Sequence, residues 1–132
     1  MMDEILAHLK KDKNFLETYY SFEPDLIAII KYYYFEKLGW CGCGMPGEAM
    51  RAVAKYLQVH SLKYPENLEK RKELFGVDWD EDNQLLLCLA YALDNAGFTE
   101  HGTSIGSAWL TDDGKYFLWA IQEAEKQDEL DI

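Results

Sequence analysis

The sequence has 132 residues and a formal net charge of −11, with 48% hydrophobic and 14% aromatic side chains. That length can bury one self-supporting core, and so apolar a composition excludes a disordered chain; a single domain over residues 1–132 is expected. Three cysteines, Cys41, Cys43 and Cys88, cannot form a disulfide framework. No apolar run is long enough to cross a bilayer, and the acidic Met1-Met2-Asp3-Glu4 start does not resemble a signal peptide, so the expectation is a cytoplasmic protein with no membrane contact.

The charge is unevenly placed. Residues 1–77 hold 11 acids and 11 bases, whereas residues 78–132 hold 13 acids against Lys115 and Lys126 alone. Binding to a phosphate backbone needs lysine and arginine to release counterions, so the C-terminal part argues against nucleic acid and for a basic partner.

Taken in chain order, Asp3 to about Lys11 reads as a short amphipathic helix with Ile5, Leu6 and Leu9 on one face. A second helical stretch, Asn14 to Phe22, groups Phe15, Leu16, Tyr19 and Tyr20. Pro24 opens a third, in which Leu26, Ile27, Ile30, Tyr33, Tyr34 and Leu38 recur at helical spacing until Gly39 stops it. Its run Tyr32-Tyr33-Tyr34 cannot all face one core at α-helical geometry, so at least one tyrosine is expected to be partly exposed, either as a contact residue or as part of a large aromatic core whose hydroxyls reach out to water. Pro46 opens the next helix, with Ala49, Met50, Val53, Ala54 and Leu57 as its stripe.

Pro65 to Gly76 reads as a superficial helix with only Leu68, Leu74 and Phe75 on its apolar face. Asp78 to Asp82 would supply acids at the positive end of the following helix, which ends at Gly97 and faces the core with Leu85, Cys88, Leu89, Ala92, Leu93 and Ala96. Cys88 then packs as a small hydrophobe. Between Phe98 and Thr111, glycines and hydroxyl residues predict a turn between two short extended segments, the second being Ser107 to Leu110. Thr111 caps a last helix whose inward residues are Phe117, Leu118, Ile121 and Ala124. The expected fold is therefore mainly α, or α+β: about six helices in a bundle-like domain, with a small hairpin before the C-terminal helix.

Two loops hold the candidate chemistry. In Trp40-Cys41-Gly42-Cys43-Gly44, Cys41 and Cys43 could bind a soft metal through two thiolates. Their spacing is shorter than usual for zinc, and Cys88, His8, His60 and His101 do not lie at ligand spacing, so a tight glycine turn with no cofactor is the preferred reading. In Glu100-His101-Gly102-Thr103-Ser104, a titratable histidine sits among hydroxyls and a glycine. Glu100, His101, Thr103 and Ser104 are the candidate ligand or partner residues, joined by Trp40 and Tyr33 from the aromatic set. Neighbouring Glu100 and His101 could form an acid–base pair, although adjacent side chains often diverge; no nucleophile motif accompanies them, and enzymatic activity is not expected.

Residues 93–122 resemble the end of a MarR-like winged-helix domain: helix, glycine, strand, wing, strand, then Leu110-Thr111-Asp112-Asp113-Gly114 opening a helix in the manner of Leu-Thr-x-x-Gly. The resemblance implies a regulator, but the wing lacks lysine and arginine, so it implies a degenerate one. The Trp40–Gly44 loop, together with Thr99–Gly102 and Trp109–Thr111, looks like small bacterial and phage proteins, a resemblance that implies no activity. The leading functional expectation is a non-catalytic protein-interaction module, of an immunity, antitoxin or phage-accessory kind, that presents an acidic surface to a basic partner. The alternatives are a metal- or thiol-dependent protein using the Cys-Gly-Cys loop and a degenerate winged-helix regulator.

Overall fold

The computed structural model describes residues 1–20, 25–39, 47–79 and 82–127. It is mostly helical, with one small antiparallel sheet before the last helix. The elements are α1 (Met2–Leu9), a π-helical turn (Phe15–Tyr19), α2 (Leu26–Lys31) continuing as a π-helix (Tyr32–Lys37), α3 (Gly47–His60) and α4 (Glu66–Phe75). Then follow α5 (Gln84–Asn95), β1 (Thr99–Glu100), a 3₁₀ turn (Ile105–Ser107), β2 (Trp109–Leu110) and α6 (Asp112–Lys126).

α6 is the packing centre, meeting α2, α3 and β2, while α3 also packs on α4 and α5. Its inward residues Phe117, Leu118, Ile121 and Ala124 are buried, as the helical periodicity requires. Aromatic rings join it to its neighbours: Phe117 lies 4.9 Å from Phe98 and 5.4 Å from Tyr33, centroid to centroid. Such pairs add edge and face attraction to the burial of large apolar area. The hairpin pairs Thr99 with Leu110 and Glu100 with Trp109.

Several boundaries follow local chemistry that can be read from the sequence. Gly39, Gly76 and Gly97 all take positive φ at or just beyond a helix end. The Asp25 side chain caps α2 through Ala28 N–H, and Thr111 caps α6 through Gly114 N–H. Gly114 is required for a further reason. A Cβ built there would lie 2.1 Å from the Phe98 carbonyl oxygen, so only glycine lets α6 start against the hairpin.

Four expectations need correction. First, Tyr32, Tyr33 and Tyr34 are all buried, at 1%, 0% and 4% exposure. The helix widens beneath them: Leu38 N–H bonds to Tyr33 C=O, an i→i+5 bond, so successive side chains turn through a smaller angle than in an α-helix. The i→i+5 bond from Tyr20 N–H to Phe15 C=O makes the same change in the preceding π-helical turn, where Phe15 is buried but Leu16 is exposed.

Second, α5 is turned relative to the stripe read from its sequence. It buries Leu86, Ala90 and Leu93, whereas Leu85, Cys88 and Tyr91 are exposed. Residues 85–93 are apolar without a break, so periodicity alone does not select one face. Third, the cap of α5 is Asn83, which accepts from Leu86 N–H; the first turn contains no acid. Fourth, α4 is not merely superficial, because Arg71 is 1% exposed and donates to the Asp78 and Gly106 carbonyls. A buried guanidinium persists only where its donors are met, and these bonds tie α4 to the 3₁₀ turn.

Candidate functional site

Cys41, Cys43 and Trp40 lie outside the described residues. Among the described residues no group of three His, Cys, Asp or Glu side chains is placed to hold a metal ion.

The loop read as a polar site is built around a carboxylate that sequence spacing did not select. His101 Nδ1 lies 2.9 Å from Asp94 Oδ1, and Thr99 Oγ1 donates to the same oxygen at 3.3 Å. Asp94 reaches them from the last turn of α5, because β1 folds back along that helix. The partner of His101 is thus Asp94 rather than Glu100, whose exposed side chain stands across the hairpin from Trp109. An open groove of about 450 Å³ is lined by Asp94, Glu100, His101, Trp109 and Thr111. Thr103 and Ser104 are exposed beyond it. A carboxylate that orients a histidine is one half of a nucleophilic triad. Among the described residues no hydroxyl or thiol bonds the other nitrogen of His101.

Tyr33 is placed differently from its expected role as a contact residue. It is fully buried, and its hydroxyl donates to Asp113 Oδ1 at 2.9 Å. His8 Nε2 meets the same oxygen at 2.9 Å, which ties α1 to the start of α6. Burial pushes the Tyr33 hydroxyl far above its ordinary range, and the Asp113 charge raises it further. Beside it, the Tyr32 hydroxyl donates to Asp12, and that bond holds the Asp12 carboxyl below the usual carboxylate range. Asp113 is therefore shared between Tyr33 and His8, partly buried at the start of α6. Sequence reading missed the network because its members are up to 105 positions apart.

His60, at the end of α3, was also missed. It is 3% exposed and its Nδ1 lies 2.9 Å from the Ala108 carbonyl. Its ring stacks on Tyr56 at 4.3 Å, and burial lowers its pKa to about 4.

A further surface feature is the outward stripe of α5. Leu85 is 81% exposed and Tyr91 50%, with Cys88 exposed between them, three residues from each. Asp82 and Asp94 flank the stripe, and beyond Asp94 the groove leads to the half-exposed Trp109. No family model, curated protein or solved structure matches the chain. No helix among the described residues is long and apolar enough to cross a membrane.

Proposed function

We propose that the protein is a non-catalytic interaction module that docks a basic, amphipathic segment of a partner protein on the outward face of α5. The supporting observation is the stripe Leu85, Cys88, Tyr91: a run of apolar side chains turned to solvent on a helix whose opposite face fills the core. Scattered exposed hydrophobes are ordinary, but aligned ones mark contact surfaces. The basic character of the partner is inferred from charge complementarity, since residues 78–132 carry 13 acids against two lysines. Roles of an immunity, antitoxin or phage-accessory kind would use such a face. A DNA-binding winged-helix role has less support, because residues 98–111 contain no lysine or arginine.

The test is fluorescence anisotropy with a labelled amphipathic helix built from leucine and lysine, beside the same helix with glutamate in place of lysine. Saturable binding of the basic peptide is expected, weakened by salt and lowered at least tenfold in the Leu85→Lys, Tyr91→Lys double variant. Equal binding of the two peptides, or unchanged affinity in the double variant, would overturn the proposal.

A further inference from the structure

The groove beside the hairpin continues from the α5 stripe, and its two carboxylates lack a basic partner. No lysine or arginine occurs between Lys72 and Lys115 in the sequence. Among the described residues the one ion pair of Asp94 is with His101, and Glu100 forms none. Both hydrogen bonds to Asp94, from His101 and Thr99, fall on Oδ1. They hold the carboxylate in place and leave Oδ2 without a hydrogen bond among the described residues. Oδ2 is not a buried atom, so a group arriving from solvent can reach it.

The register of the hairpin supplies the third component. Glu100 and Trp109 are directly opposite each other, so their side chains leave the same face of the sheet, with Cβ atoms roughly 5 Å apart. That face is the solvent side, because Thr99 and Leu110 are buried on the other, while Glu100 and Trp109 are exposed. An accessible indole thus stands next to one free carboxylate and shares an open groove of about 450 Å³ with another. An anion would be repelled here, and an apolar group would strip water from both carboxylates without replacing it. A cation meets the carboxylates and the negative face of the indole together. Between the two cationic side chains, a lysine ammonium is a compact and strongly hydrated point charge. A guanidinium is flat and weakly hydrated, so it can lie on the ring while its in-plane donors reach acceptors on different sides.

We infer that this groove is the anchor for an arginine side chain of the partner protein, stacked on Trp109 and hydrogen-bonded to Asp94 and Glu100. The inference rests on the reading of the partner as a basic protein segment, and it adds which residue of that segment fixes its register. The apolar stripe Leu85, Cys88, Tyr91 would accept any amphipathic helix, whereas the groove beyond Asp94 accepts one kind of side chain at one end of it. His101 and Thr99 act as positioning residues, since they orient Asp94 through Oδ1.

The test is NMR titration of the ¹⁵N-labelled protein with acetyl-Gly-Arg-Gly-amide, beside the same tripeptide carrying lysine or the neutral isostere citrulline. None of these probes has an apolar side chain, so binding does not need the α5 stripe. The arginine peptide should give saturable shifts at the Trp109 indole N–H and the amides of Thr99 to His101. Lysine should bind at least threefold more weakly and citrulline at least tenfold. Glu100→Gln and Trp109→Leu change exposed positions, and their spectra report directly whether the fold is kept. Each should lower the affinity for the arginine peptide at least threefold. A Leu85→Ser, Tyr91→Ser double variant should leave it unchanged, so that failure of the α5 stripe and failure of the groove are read separately. Absence of saturable shifts at the hairpin would overturn the inference. So would citrulline or lysine binding as tightly as arginine, or full affinity in both the Glu100 and Trp109 variants.

Discussion

His60 shows how much a single position depends on its surroundings. In the unfolded chain its imidazole titrates near about 6.5, whereas the folded protein holds it near 4, chiefly by burial and secondarily through the charge of Arg71. The unfolded state therefore binds the proton first as pH falls. The stability that neutral His60 contributes is fully present above the unfolded value, and it declines from there down to about pH 4. The slope should approach one proton, about 1.4 kcal/mol per pH unit. Urea denaturation of the wild type and His60→Gln between pH 7 and 5 should show a steeper loss in the wild type; parallel curves would mean that His60 is not the group responsible. Nothing in the sequence distinguishes His60 from His8 or His101 as the buried one, because what buries it is the 106–110 segment, which lies more than 40 positions away.

Among the elements, α5 and α6 differ in how far their faces could be read. α6 interrupts its apolar residues with Lys115, Gln122 and Glu123, so only one stripe can be buried, and Phe117, Leu118, Ile121 and Ala124 are its members. α5 is apolar from Leu85 to Leu93, and the packing of α3 and the hairpin against it selected Leu86, Ala90 and Leu93. The choice is measurable. Leu86→Ala should cost about 2–4 kcal/mol by cavity formation, while Leu85→Ala should stay within about 0.5 kcal/mol of wild type. The reverse order in chemical denaturation would restore the stripe read from the sequence. At the start of α6, Gly114→Ala would set a methyl against the Phe98 backbone oxygen, which cannot yield as a flexible side chain can. A loss of about 2–3 kcal/mol is expected, with the hairpin amides exchanging faster because the same carbonyl accepts from Thr111 N–H. A variant as stable as wild type would mean that this close approach is relaxed at little cost.

For the molecule as a whole, charge is the term that composition sets directly. Eleven surplus acids repel one another in the folded state, and the surplus belongs to residues 78–132. Salt shortens the range of that repulsion from about 30 Å at 0.01 M to about 8 Å at 0.15 M. The midpoint of thermal unfolding should therefore rise by a few degrees as sodium chloride increases across this range. A fall would mean that attractive pairs such as Lys70–Glu73 and Lys126–Glu123 outweigh the repulsion, an outcome that their exposure argues against. The same field would draw a basic partner to the α5 face, so stability and binding should respond to salt in opposite directions.

What the sequence by itself determined are the properties that rest on short-range rules. Glycines at 39, 76 and 97 stop helices because they alone adopt positive φ without cost, Thr111 caps a helix because its hydroxyl reaches three residues ahead, and a regular apolar period identifies α6. The tertiary structure decided what those rules leave degenerate or non-local. It turned α5 so that Leu85 and Tyr91 face solvent, and widened the helix at Tyr32 so that three tyrosines enter the core. It also brought Asp94 rather than Glu100 to His101, and buried His60 against the Ala108 carbonyl. Each of these depends on which surface of a distant element occupies the neighbouring space, and that information is not carried by any single window of the chain.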